Sequence, residues 1–402
     1  MQLNMNDLSQ LWSLDPGVRY LNHGSFGACP RAVLEAQAEL RGRLEAEPAR
    51  FFQREAPQLA ERARAALAEL VCARPQDLVF VSNATEGVNA VLRSLPLASA
   101  DALLTTNQAY NACANSLRFV AERVGARVDV ASLPFPLERA EQVERAVLDA
   151  VRDDTRLVLL DWITSPTGLI LPVQRLVSAL RERGVAVLLD GAHAPGMLPM
   201  DLTALDADYV TGNCHKWCCT PKGAAFLWVR PELQHEVRPV VISHGANAPE
   251  SERSRFQMEF GWTGTDDPTA MLVLPEALQV MAGLFEGGWQ ALQAHNHELV
   301  LWVRDRLCEV LDVPPPAPDD MLGSLAAVPL PDAPSARRRQ ALETDPLQDR
   351  LFFEHHTEVP VSSWPAPPQR LLRVSAQAYN RRQDYEPLLT ALPELLAEER
   401  AG

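Results

Sequence analysis

Apolar residues along this chain fall into two alternating rhythms. Short, mainly apolar runs at Leu78–Val81, Ala102–Thr106, Leu157–Trp162, Val185–Leu189 and Ala224–Val229 read as buried strands, each closed by a polar turn. Arg127–Ala131 makes a further strand after a helix, and a short one ends near Val210-Thr211. Between the strands the period changes to helical. Helices are predicted from about Arg31 to Glu47 with Pro30 near the first turn, from Arg50–Arg54 onward to about Cys72, from the Ser82–Asn89 turn through Leu92, and around Val173–Arg183. The order strand, helix, strand persists from about 75 to 230, which predicts an open, mostly parallel α/β sheet with its site at the carboxyl ends of the strands.

Beyond that stretch the pattern loosens. Pro239–Arg255 reads as loop, and Phe260–Asp267 is a glycine- and threonine-rich polar loop before a helix over Met271–Phe285. A helix from about Trp289 to Leu311 opens a different region. It is followed by the proline-rich Val313–Asp320, which reads as a linker or exposed turn, and by strands near Leu325–Val328, Thr357–Val361 and Leu371–Ser375. The expected organisation is a short arm over 1–20, with Leu8, Leu11 and Leu14 at helical spacing, packing with a small domain. A large domain follows over 21–285 and a small α+β domain over 286–402.

The chemistry sits in the turns after the strands. The run ending at Leu189 delivers Asp190, and 26 positions later Lys216 stands in the polar turn Asn213-Cys214-His215-Lys216. A buried carboxylate and a lysine at neighbouring strand ends suit pyridoxal phosphate (PLP): the amine forms the Schiff base, and the acid holds the pyridine nitrogen protonated so that the ring accepts electrons. The turn Ser82-Asn83-Ala84-Thr85 opens a helix after a strand, an arrangement that binds phosphate through free backbone N–H groups and the helix dipole. Each feature alone also has a bland reading, because surface lysines and helix-capping serines and threonines are common. Their shared position after successive strands favours one site.

Composition narrows the classes. The chain has 402 residues, 47% hydrophobic and 22% charged, which is ordinary for a globular enzyme. A formal net charge of −15 argues against an extended nucleic-acid footprint or an anionic membrane surface as partner. No run approaches the roughly 20 apolar residues of a membrane span. The first residues lack the pattern of a signal peptide, and seven scattered cysteines form no disulfide framework, so a cytoplasmic location is expected. No metal site is expected.

Asp190-Gly191-Ala192-His193 followed by Gly212-Asn213-Cys214-His215-Lys216-Trp217 and Pro221-Lys222-Gly223 resembles the class V aminotransferase family of fold-type-I PLP enzymes. Tyr20–Gly27, Arg50-Phe51-Phe52 and Arg373–Asn380 are similar to its isopenicillin N epimerase-like branch. The resemblance spans nearly the whole chain. It implies Lys216 as the Schiff-base lysine and proton carrier at the substrate Cα, Asp190 at the pyridine nitrogen, and His193 beside the ring. It implies Ala84 and Thr85 at the phosphate, with Asn213 (serine in many relatives) and His215 adding donors. Thr265 would reach the phosphate of a neighbouring subunit, making the enzyme a homodimer. Arg373 would pair with the substrate α-carboxylate, with Asn22 and His23 also at the substrate.

One departure matters. Where many members place a histidine over the ring, this chain has Asn107-Gln108-Ala109-Tyr110-Asn111, so Tyr110 is the expected stacking residue. A desulfurase also needs a mobile nucleophilic cysteine on the small domain. Cys308 lies in a predicted helix, and Cys214, Cys218 and Cys219 read as packing residues. The implied activity is an amino-acid epimerase or racemase, with Tyr110 or a water held by His23 as candidate second acid–base group. A C–S or β-eliminating lyase, an aminotransferase and a non-catalytic PLP-binding relative are the alternatives.

Overall fold

The computed structural model describes residues 8–249, 253–337, 340 and 343–401; the first seven residues of the expected arm lie outside the described residues. The arm contributes a two-residue strand, β1 (Arg19–Tyr20). The large domain is built on β2 (Leu78–Val81), β3 (Ala102–Thr106), β4 (Arg127–Ala131), β5 (Thr155–Asp161), β6 (Ala186–Asp190), β7 (Tyr209–Asn213) and β8 (Ala225–Val229). These form one seven-stranded sheet in the order β2-β8-β7-β6-β5-β3-β4. Strands β4, β3, β5, β6 and β7 run parallel, and β8 is antiparallel to both β7 and β2.

Period-two alternation assigns the two faces of this sheet. Leu103, Leu159 and Leu188 pack with Val88, Leu92 and Leu117 of the Ala84–Ser94 and Asn111–Val124 helices. Their strand neighbours Leu104, Leu160 and Leu189 pack with Leu67, Leu176 and Leu180 on the other face. Asp161 and Asp190 continue the first of these rows at the ends of β5 and β6, where they are direct cross-strand partners. The apolar runs that predict buried strands therefore also carry two carboxyl groups side by side to the carboxyl edge of the sheet.

The small sheet has β9 (Leu325–Leu330), β11 (Val361–Ser363) and β12 (Arg370–Ser375) in the antiparallel order β11-β12-β9. The single strand expected over Thr357–Val361 is divided. β10 (Thr357–Glu358) pairs in parallel with β1, and β11 begins only after Val359-Pro360. Proline has no N–H for a ladder, and here the Pro360 carbonyl accepts from the Arg373 N–H at 3.1 Å. One other expectation changes. A helix at Arg255–Phe260 fills the unassigned residues between the two stretches expected to be loop, and the helix expected over 271–285 becomes Thr269–Leu272 and Leu274–Ala282, parting just before Pro275. The Gly288–Leu311 helix and helices at Pro346–His355 and Arg382–Ala401 complete the small domain. No described helix is long and apolar enough to cross a membrane.

Candidate active site

A cavity of about 540 Å³ opens where β5, β6 and β7 end, lined among others by Tyr110, Asp161, Asp190, His193 and Lys216. Lys216 follows β7 and brings its half-buried side chain to this cavity. Burial, reinforced by the Arg373 charge and opposed by Asp190 and Asp161, brings its pKa down to about 8. Its Nζ lies 3.1 Å from His193 Nε2. The Trp217 indole donates to His193 Nδ1 at 3.2 Å, and an indole nitrogen only donates. The neutral His193 ring therefore carries its proton on Nε2, where it can donate only to the free-base form of the lysine. Burial, followed by the Lys216 charge, holds His193 well below its usual range, in agreement with a neutral ring.

Asp190 accepts from the Ala192 N–H at 3.0 Å through one oxygen and from the Cys113 thiol at 3.1 Å through the other. Burial, then Asp190, pushes the Cys113 thiol well above its ordinary range, so it remains a donor. Asp161, 2% exposed, accepts from the Tyr110 N–H at 3.2 Å with Oδ2, while Oδ1 has no partner. Tyr110 itself caps the Asn111–Val124 helix and leaves 45% of its surface exposed at the cavity.

The Ala84–Ser94 helix brings its first turn to the same cavity. Asn83 caps it by accepting from the Glu86 N–H at 2.9 Å. Gly87 lets it press on β7, since a Cβ there would meet Thr211 Oγ1 at 2.3 Å. Asn213 Oδ1 accepts the Ala84 N–H at 2.8 Å, which leaves the Asn213 NH2 and the Thr85 N–H as donors to an anion. Ala84 and Thr85 do open the helix at the cavity, with the Ala84 N–H already paired within the protein. His215 Nδ1 lies 3.1 Å from the Ala224 carbonyl and must donate to it; its Nε2 is then a lone pair while the ring is neutral. Burial, then Lys216, brings the His215 pKa down to about 4, so it can donate to a phosphate only after taking up a proton.

Arg373, on β12 of the small domain, stands behind Ser25 and Ser165 of the cavity wall. Its guanidinium donates to the Ser25 hydroxyl at 2.9 Å and to the Ser165 carbonyl, while buried Nε has no partner. Burial lowers its pKa to about 10, which leaves it a cation at neutral pH. An unspent donor on a buried cation suits a carboxylate ligand.

Asn22 and His23 are placed differently from the expectation. Asn22 accepts from Ser25 at 2.5 Å and donates to Glu358, so it orients the serine that holds Arg373. His23 is wholly buried and does not line the cavity. One ring nitrogen meets the Tyr379 hydroxyl and the other the Lys216 backbone carbonyl, each at 2.9 Å. Burial brings its pKa down to about 3. It braces the lysine from behind and has no open side for a water that could reach the cavity. Thr265 is exposed on its turn and is not among the residues lining the cavity of its own chain.

Sequence reasoning missed Asp161, Cys113, Ser25, Ser165 and Trp217. Asp161 carried the same signal as Asp190, an apolar run ending in a carboxylate. The other four are reached only through tertiary contacts.

Comparison with known proteins places this geometry. The family model for aminotransferase class V matches residues 20–388. The chain belongs to that family. This class V protein is 35% identical to isopenicillin N epimerase of Amycolatopsis lactamdurans, over 95% of its own length and 96% of the relative's. It is 28% identical to L-cysteine desulfhydrase of Arabidopsis thaliana, over 95% and 89% respectively. Among solved structures it is similar to the cystine C–S lyase C-DES, in a form with glycine covalently linked to its PLP cofactor. That match has a TM-score of 0.74 at 21% identity, covering 94% of this chain and 96% of that one. The cofactor of the class V protein is PLP, and the cavity fits it: a half-buried lysine, a carboxylate at the sheet edge, a helix N-terminus with a free N–H and an aromatic wall converge there.

Proposed function

We propose that this chain is an amino-acid epimerase or racemase acting at Cα, a cytoplasmic homodimer in which Thr265 of one subunit completes the phosphate site of the other. The observation that carries the reading is the pairing of Lys216 and Tyr110 on opposite sides of one floor. Lys216 follows β7 and Tyr110 follows β3, with the Asp190 and Asp161 strands between them. Bound PLP supplies an electron sink for the pair left on Cα. Lys216, whose burial brings its pKa down to about 8 and so makes the free base accessible, takes the Cα proton from its side. Tyr110, whose hydroxyl is kept protonated by burial and then by Cys113 and Asp190, returns a proton from the other side and recovers it from solvent at its exposed edge. Arg373 fixes the α-carboxylate, so the centre inverts in place. The similarity to isopenicillin N epimerase over nearly the whole chain supports this outcome.

The similarity to L-cysteine desulfhydrase supports a second reading, β-elimination, which begins with the same proton transfer to Lys216. A persulfide relay has less support: six of the seven cysteines are buried, and none lines the cavity. Incubation of single enantiomers in deuterated water separates the readings. Deuterium at Cα together with loss of optical purity is expected, and it should disappear in Lys216→Ala. Release of pyruvate and sulfide without racemisation would establish the lyase instead, and no Cα exchange across a broad amino-acid panel would overturn both.

A further inference from the structure

Among the described residues, Asp161 is the one carboxyl lining the cavity with an oxygen that has no partner. It stands on β5 beside Asp190 on β6, on the same face of the sheet and at the same level. Two carboxylates cannot both remain charged side by side away from water, because each raises the cost of ionising the other. Asp190 has two donors, the Ala192 N–H and the Cys113 thiol, that stabilise its anionic form. Asp161 is less well provided, with backbone N–H groups of Tyr110 and Ser165 and an empty Oδ1. The groups facing it from the packed elements are Asp190, Cys113 and the more distant cation Lys216. Burial first, and then Asp190, drive its pKa well upward, and the two N–H groups and Lys216 only partly oppose this. The proton of the pair therefore belongs on Asp161.

Its position links two walls. The Tyr110 N–H fixes the start of the helix that carries the aromatic wall. The Ser165 loop, through its carbonyl and hydroxyl, receives the Arg373 guanidinium at the carboxylate end. We propose that Asp161 acts in this enzyme as a neutral positioning residue, holding the Tyr110 wall and the Ser165 loop together and presenting its free oxygen as a hydrogen-bond donor to the bound ring, so that Asp190 remains the only negative charge beneath it. The role is the same for epimerisation and for elimination, so its failure would leave the choice between those readings untouched.

The test compares Asp161→Asn with Asp161→Ala as holoenzymes. Asparagine keeps the acceptor for both N–H groups and replaces the acid O–H by an amide donor, so it mimics the protonated acid. Asp161→Asn should keep the cofactor's visible absorbance and its pH titration, with kcat lowered by no more than a few-fold. Asp161→Ala should weaken cofactor binding and raise KM on the order of tenfold or more, because it strands buried N–H groups. An infrared difference between wild type and Asp161→Asn, both without substrate, should show a protonated-carboxyl C=O stretch that moves in deuterated water. If Asp161→Asn is as damaged as Asp161→Ala, or the infrared band is missing, Asp161 is an anion and the proposal falls. If Asp161→Ala matches wild type in cofactor affinity and KM, it positions nothing.

Discussion

The proton on His193 is assigned by its neighbours, and that assignment constrains Lys216. An imidazole that donates to the lysine nitrogen requires the amine to be neutral, and burial together with Arg373 makes neutrality accessible near physiological pH. Only the free base can attack the cofactor's aldehyde. Reconstitution of the apoprotein with PLP should therefore accelerate with pH, by about tenfold per unit below the lysine's pKa of about 8, and level off above it. The sign follows from burial, which favours the uncharged form; stopped-flow absorbance across the pH range would measure it. A rate already flat well below that value would mean that the amine is not buried as described. At this scale the sequence was legible where a residue's placement follows from its position at a strand end or in a turn: Lys216 and Asp190 both line the cavity. It was not legible where the role depends on which partner reaches the residue first. His23 and His193 are both histidines in glycine-containing turns, yet one is enclosed by Tyr379 and the Lys216 carbonyl and the other faces the cavity.

Elements meet around the lysine at distances only glycine permits. Gly27 ends the turn after His23 with φ of +72°, and a Cβ there would stand 2.0 Å from the His215 carbonyl oxygen. Gly27→Ala combines an unfavourable backbone region with a collision against main chain, so it should cost more than about 2 kcal/mol of stability. Gly42, inside the Arg31–Ala46 helix with nothing within 4 Å, is the control: Gly42→Ala should stabilise by about 0.5–1 kcal/mol. Denaturant melts of the two variants would show shifts of opposite sign. The glycines around Gly27 predicted a turn, but not what the turn presses against, because sequence periodicity is blind to contacts 190 residues away. The parallel strands β3, β5 and β6 were readable because nearly all their residues are buried on both faces and therefore mainly apolar, whereas the edge strand β4 is partly exposed and carries Arg127 and Asp129. The division at Pro360 was not, because Thr357–Val361 alternates like one strand while its two halves pair with different partners.

For the molecule as a whole, the end of the cavity at the Ala84–Ser94 helix, where a phosphate is expected, has fewer free donors than the sequence promised, since the Ala84 N–H donates to Asn213 and His215 Nδ1 donates to the Ala224 carbonyl. An exposed Thr265 is the group expected to come from a second copy. Thr265→Ala should then raise the PLP dissociation constant by about tenfold, the worth of one hydrogen bond to a charged group. Sedimentation should find the wild type and the variant alike as dimers. A monomeric wild type, or an unchanged affinity, would place the missing donor within the chain itself.

The division of Thr357–Val361 also bears on how the molecule comes apart. Residues 19–21 are bound to the small domain through the β1–β10 pair and through the Leu21 carbonyl, which accepts from Ser375 at 2.9 Å. Only a few residues later, His23 and Gly27 press on the main chain of Lys216 in the large domain. This segment is a short tether with one end on each body, and the small domain it holds also carries Arg373. Any movement that pulls Arg373 away from Ser25 and Ser165 must also pull on the backbone beneath the lysine, so under the proposed roles a substrate's carboxylate and its α-carbon are gripped, or released, together.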